Sequence, residues 1–422
     1  MMRRISIVFI LFAVVFLSTS CFDAHEVDNY AYVTTIGIDK GVADKWRFSF
    51  QITNMRTGGP KEGSGGKEAP EYVTITIDAP SFFHAVNVLD TSIARTLNFR
   101  HTKYIVISRD IAEDGKFTES LGPAIRYREI RRTTGVLVST CTAESLIQEF
   151  NPKIGISMAR LQEGLMEQSK ETGFFPEMRL KDYYSDLKSN YRQPVAILAG
   201  VNNFNHLPSQ QEGNNISKKE LGKRIAGEIP RKGGNTIEFF GTAVFDGDRM
   251  VSELNGYETR IMLILRGDYN KGVFTIKDPL KPELYVSVHL RQRTRPKVKV
   301  EFEDGKPTIY IKLMLHGEIL AIQSRIDYEE TGKIGYLETA IEETIEKEAE
   351  ALIDKAKELN VDFLNFGAHV VKNFLTIQEW EKYNWIGRME TVKAIVDVDV
   401  KMRKTGTMIK SAPIRTAEGE EE

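Results

Sequence analysis

Cys21 is the residue whose neighbours in sequence specify a reaction. Arg3 and Arg4 precede an apolar run from Ile5 to Leu17, and the small residues Ser18, Thr19 and Ser20 follow it. A basic start, a short apolar core and small residues at a cleavage point are the parts of an export signal. The run is about 13 residues long, short of the ~20 that a helix needs to span hydrocarbon. Cleavage between Ser20 and Cys21 would leave the Cys21 thiol as a lipid acceptor. The mature chain is then expected to be held at a membrane surface by acyl chains. A bacterial lipid-acceptor signal usually carries Leu three residues before the cysteine, whereas here that residue is Ser18 and Leu17 lies one step further back. An ordinary secretory signal with an incidental cysteine is the competing reading.

Other reactive constellations are not assembled in the sequence. His25, His84, His101, His206, His289, His316 and His369 show no metal-ligand spacing, and two cysteines cannot build a structural zinc site. No metal or cofactor is therefore expected. Gly58, Gly59, Gly63, Gly65 and Gly66 are glycine-rich, but a phosphate loop needs a strand before it and a helix N-terminus after it. The run from Ile154 to Ala159 has the Gly155 and Ser157 of a nucleophile elbow without its second glycine. Glu338, Glu342, Glu343, Glu346 and Glu350 are interleaved with Lys347 and read as the solvated face of a long helix. Arg126, Arg128, Arg131 and Arg132 form a basic cluster. Its readings are an exposed corner or a docking patch for an acidic partner or anionic head groups.

Bulk properties narrow the class. The chain has 422 residues, 41% hydrophobic and 27% charged, with net charge −2, or −4 once Arg3 and Arg4 are removed. Such a balance argues against a general nucleic-acid binder. No later stretch approaches 18 apolar residues, so no span is expected in the mature chain. Two cysteines give no disulfide framework, and the fold must rest on apolar cores.

Periodicity predicts the elements that must carry these residues. Ala31 to Asp39, Trp46 to Asn54 and Tyr72 to Asp78 read as half-buried antiparallel strands. Ser81 is placed to cap a helix whose stripe is Phe82, Val86, Leu89, Ile93 and Leu97. Strands at Lys103–Ser108, Thr134–Thr140 and Val195–Leu198 alternate with helices near Pro123–Tyr127, Thr142–Phe150, Ser157–Gln168 and Leu180–Leu187. In the second half, Asp246-Gly247-Asp248 and Asp304-Gly305 supply hairpin turns. Strands flank them at Thr236–Phe245, Arg249–Glu253, Tyr285–Phe302 and Thr308–Gln323. Tyr257–Leu265 and Gly335–Leu359 read as helices, and Val392–Met402 as a closing strand. The predicted class is α+β and multidomain, with mixed and antiparallel sheets and packed helices. The expected parts are a signal peptide (1–20), an N-terminal region (21–203), a polar linker or insertion (204–234), a C-terminal domain (235–405) and an acidic disordered tail (406–422).

Several segments together carry a resemblance. Cys21-Phe22-Asp23 with Glu26, then Ala31 to Lys40 as AYVTTIGIDK, resemble the mature start of the GerC-type, or Ger(x)C, spore germination lipoproteins. Phe22 stands where Trp is usual. Asn98 to Lys103, Gly241 to Phe245, Leu254 to Arg260, and Asp362 to Gly367 followed by Trp380 and Trp385 resemble later motifs in the same order. The resemblance implies three mixed α+β domains without a catalytic site, and so a further cut near Asp110. It implies the lipid-anchored C subunit of a nutrient germinant receptor at the inner spore membrane, partnered by membrane-spanning A and B subunits. The rival expectation is a solute-binding lipoprotein that captures the nutrient directly.

Overall fold

The computed structural model describes residues 29–53, 72–152, 158–202, 220–330, 332–404, 414–416 and 419–421. The chain opens with β1 (Tyr30–Lys40), β2 (Trp46–Thr53) and β3 (Tyr72–Ala79), an antiparallel set whose register pairs Ile38 with Phe48 and Phe48 with Ile77. The alternation of β2 is as the sequence predicts, but both of its faces are covered. Phe48 and Phe50 pack edge-on against Phe82 at 5.9 and 6.0 Å on one side. On the other side Ser49 and Gln51 are also buried.

Ser81 caps α1 (Phe82–Leu89), its side chain accepting from the His84 N–H. The helix is shorter than its stripe suggests: Leu97 belongs to β4 (Thr96–Asn98), a short strand parallel to β1. Next come β5 (Tyr104–Ser108), α2 (Arg109–Glu113), α3 (Phe117–Arg126), β6 (Gly135–Ser139), α4 (Ala143–Glu149), α5 (Met158–Thr172), α6 (Leu180–Leu187) and β7 (Val195–Val201). β1, β5, β6 and β7 run parallel as neighbours. Every residue of β5 and β6 is buried, as expected of parallel strands covered on both faces. Gln51 Nε2 donates to the carbonyls of Ile147 and Phe150 at the end of α4. Side chains alternate across a strand, so α4 lies on the face opposite α1.

The first sheet continues past residue 203. β8 (Ile237–Asp246) pairs antiparallel with β7, and β9 (Arg249–Leu254) follows across the Gly247 turn, giving nine strands in all. Residues 220–234 are also tied to it, through Ala226 N–H to the Phe240 carbonyl and Asn202 Nδ2 to the Ile229 carbonyl. Helix α7 (Gly256–Arg266) begins with a reciprocal cap between Asn255 and Glu258 and ends at Gly267, whose φ is 74°.

A second, five-stranded sheet contains β10 (Lys271–Lys277), β11 (Tyr285–Arg291), β12 (Lys297–Glu303) and β13 (Lys306–Ile322). The single strand region expected over Tyr285–Phe302 is two strands. The chain breaks around Pro296, and both halves pair with β13, at Val286–Arg291 and Lys297–Glu303. Proline lacks the N–H that a ladder requires. Helix α8 (Ile334–Leu359) buries Leu337, Ile341, Ile345, Ala349, Leu352, Ile353 and Ala356. Each large aliphatic side chain so buried contributes about 1.5–3 kcal/mol. The short helices α9 (Gly367–Val370) and α10 (Ile377–Tyr383) precede β14 (Lys393–Lys404), which pairs in parallel with β13.

The acidic face of α8 is not simply solvated. Glu346, Glu342 and Glu338 accept the backbone N–H groups of Val398, Val400 and Met402 at 3.0, 2.8 and 2.7 Å. Four helical residues rise about 6 Å, and two strand residues about 6.6 Å. That match lets one carboxylate per helical turn meet the successive outward N–H groups of Val398, Val400 and Met402. In the acidic tail, β15 (Ile414–Thr416) pairs with β16 (Gly419–Glu421), where composition predicts disorder. Both sheets and their helices make the chain mixed α+β, as expected. Among the described residues, no helix is long and apolar enough to cross a membrane.

Candidate functional site

Ser20 and Cys21 lie outside the described residues, but the chain's arrival at the fold is visible. Tyr30 begins β1, in register with Thr96. Thr35 pairs with Tyr104, and Tyr104 with Gly135. The loops leading into β5 and β6 therefore sit at the end of the sheet where β1 starts. Arg126 ends α3, and Arg128, Arg131 and Arg132 occupy the loop into β6. All four are exposed.

That loop is held by buried Ile130, by the Glu129 carboxylate accepting the Phe99 N–H at 3.1 Å, and by Thr134 Oγ1 donating to the Thr102 carbonyl. Arg100 and Lys103 stand nearby, paired with Glu129 and Glu163 at 3.9 and 2.5 Å. None of the four clustered arginines forms an ion pair among the described residues. His101 stands edge-on to Tyr32 at 4.9 Å. Its pKa is lowered by burial and by the charges of Arg131 and Lys103. Beside Arg132, the side chains of Ile125, Ile130, Leu180 and Tyr184 line a recess of about 240 Å³.

A larger cleft, of about 710 Å³, opens between α6 of the first sheet and α7 and α9 of the second region. Lys170, Arg179, Lys181 and Arg192 line one side, with Arg266, Arg295 and Lys372 opposite. The carboxylates in its walls are Glu177, Asp182, Asp186 and Asp268. Asp186 is buried, and its pKa is raised by that burial despite Arg192 at 3.5 Å and Arg266 at 4.0 Å. Sequence reasoning missed this cleft because its residues come from four separated segments without a shared spacing.

The resemblance segments from Ala31 onward are built into the scaffold. The Asp39 carboxylate accepts the N–H groups of Ala143 and Glu144 at 2.8 and 2.9 Å, receiving the first turn of α4. Burial raises its pKa. Negative charge there suits the positive end of a helix. Thr102 Oγ1 donates to the Val33 carbonyl, and the hydroxyls of Thr242 and Thr259 meet at 2.9 Å. Arg260 is buried, donates to the carbonyls of Thr172 and Val273, and stacks 3.6 Å from the Phe174 ring centroid. Burial brings its pKa down to about 10. Asp362 receives the N–H groups of Phe366 and Gly367. His369 is half-buried beside Lys372, and burial and that charge lower its pKa. Among the described residues, no group of three or more His, Cys, Asp or Glu side chains is placed to hold a metal ion.

Comparison with known proteins agrees with this architecture. Residues 23–201 match the family described as "Spore germination protein N-terminal domain", and residues 240–406 match "Spore germination B3/ GerAC like, C-terminal". Spore germination protein KC of Bacillus subtilis (strain 168) is 21% identical over 98% of this chain and 98% of its own. Spore germination protein GerQC of Bacillus cereus is 20% identical over 92% of this chain and 95% of its own. The crystal structure of the GerBC protein superposes with a TM-score of 0.52 at 16% identity, covering 87% of this chain and 96% of that one. The chain belongs to the Ger(x)C family of spore germination proteins.

Proposed function

We propose that this chain is the lipid-anchored, non-enzymatic subunit of a nutrient germinant receptor. In this reading Cys21 holds it at the extracytoplasmic face of the inner spore membrane, beside membrane-spanning A and B subunits. The observation that carries the reading is the likeness to germination proteins through both halves of the chain. Its physical logic is confinement. A lipidated cysteine carries at least two acyl chains, and at ~0.8 kcal/mol per buried CH₂ they exceed about 20 kcal/mol gross. Such an anchor is effectively permanent and raises the concentration of the body beside its partners.

The arginine end supports one orientation. Nine residue steps from Cys21 to Tyr30 reach at most ~30 Å, so the loop carrying Arg126, Arg128, Arg131 and Arg132 would face the head groups. Each cation near an anionic surface contributes about 1 kcal/mol. Unlipidated chain should bind anionic vesicles in a salt-sensitive way, and changing all four arginines to Gln should abolish it. Equal binding by that variant would instead reserve the loop for an acidic protein partner.

The direct test of the anchor is Cys21→Ala in cells lacking the A and B subunits. The protein should move to the soluble fraction, and with partners present germination should slow. Retention in the membrane fraction without partners would overturn the reading. Direct nutrient capture is the rival, and calorimetry of the mature chain with amino acids and sugars separates the two.

A further inference from the structure

We infer that the cleft between α6 and the α7–α9 side of the second region is a binding site for a small multivalent oxyanion, a polycarboxylate or a phosphate ester. The argument begins with its charge. Seven Lys and Arg side chains line it against four carboxylates, and those four are already engaged. Glu177 takes Arg179 and Lys170, at 2.5 and 3.1 Å. Asp268 takes Arg266 at 3.3 Å. Asp186 is shared between Arg192 and Arg266, and Asp182 lies 3.9 Å from Lys181.

Arg295 and Lys372 are left with no carboxylate partner among the described residues. Arg192, its side chain 37% exposed, meets only Asp186 among the described carboxylates, at 3.5 Å. Neither contact of Asp186 with its two arginines is a close bidentate pair, so the positive side of the cleft remains under-compensated.

The geometry is prepared rather than incidental. Arg266 is held with its side chain 7% exposed, and the Asn365 amide oxygen, when turned toward it, accepts from its Nε and Nη2 at 3.3 and 3.1 Å. Arg295 is exposed and lies beside the left-handed Gly267, in the turn that ends at Pro296. The half-buried His369 ring also lines the cleft, and burial and the charge of Lys372 lower its pKa. A volume near 710 Å³ is that of a small-molecule site. Guanidinium forks recognise planar carboxylates and phosphates through paired N–H donors.

The test uses the mature chain with Cys21→Ser, titrated with citrate and with inorganic phosphate, against sodium chloride at matched ionic strength. Calorimetry should show saturable binding of at least one oxyanion at a single site, with a rise in melting temperature that chloride does not reproduce. The stronger of the two names the source chemistry. Arg295→Gln with Lys372→Gln should weaken binding at least about tenfold. Both side chains lack carboxylate partners, so the fold should survive, which circular dichroism checks. Absence of saturable binding by both anions, or unchanged affinity in the double variant, would overturn the proposal. Fractionation of Cys21→Ala reports separately on the anchor.

Discussion

The indole Nε1 of Trp385 donates to Oδ2 of Asp362 at 2.9 Å inside the second region, where both residues are buried. The same carboxylate takes the N–H groups of Phe366 and Gly367 at 2.9 and 2.7 Å, and the Asp362 N–H reaches Gln193 Oε1. Gln193 in turn donates to Asp246 at the tip of β8. Removing the acceptor strands three buried donors. Asp362→Ala should lower unfolding stability by about 3 kcal/mol, measured by urea denaturation. Asp362→Asn keeps one acceptor oxygen and should cost less.

Gly367 is a second pressure point in that node. A Cβ there would lie 2.3 Å from Trp385 Nε1 and 2.4 Å from the Tyr191 carbonyl oxygen. The carbonyl is backbone and cannot rotate away. Gly367→Ala should destabilise by about 1–3 kcal/mol, with a shift in tryptophan emission in the folded state.

The ladder of Glu338, Glu342 and Glu346 shields the outer edge of β14. A strand edge with free N–H groups is a template for pairing with another chain. The triple change to Ala should raise self-association relative to the parent, seen by size-exclusion chromatography with light scattering. Changing the three to Gln, which preserves an acceptor on each side chain, should largely prevent it.

Asp78 offers a pH test. Its carboxylate accepts Arg47 Nε at 2.7 Å and the N–H groups of Val42 and Ala43 at 2.8 and 2.7 Å. Arg47 first, then those backbone donors, holds the carboxyl far below the usual carboxylate range. A folded-state pKa below the unfolded value gives stability that is full above about pH 4 and lost as pH falls toward the folded value. Asp78→Asn should therefore be less stable than the parent at pH 7. The gap should narrow from about pH 4 downward in denaturation curves taken across that range.

The strands and turns were legible where local chemistry and tertiary burial agree. Trp46, Phe48, Phe50 and Ile52 alternate and are buried, and the Asp-Gly pairs turn hairpins at Gly247 and Gly305. Ser49 and Gln51 misled because their polarity is satisfied inside, by Thr76 and by the carbonyls ending α4. The apolar stripe after Ser81 outruns its helix, since Leu97 keeps the stripe's spacing while pairing as a strand with Ala31. The glutamates of α8 have a four-residue spacing that suits either water or a strand edge. Only the presence of β14 decides between them. The arginine loop was visible as composition, but its position at the start of β1 required the parallel register.

The pairing of β7 with β8 has a mechanical consequence. Val195 to Val201 and Ile237 to Val244 are bonded side by side, so bending the body at that seam would shear a backbone ladder. The molecule behaves there as a plank with no hinge. A push delivered near Tyr30 would arrive at β9 as a tilt of the whole plate.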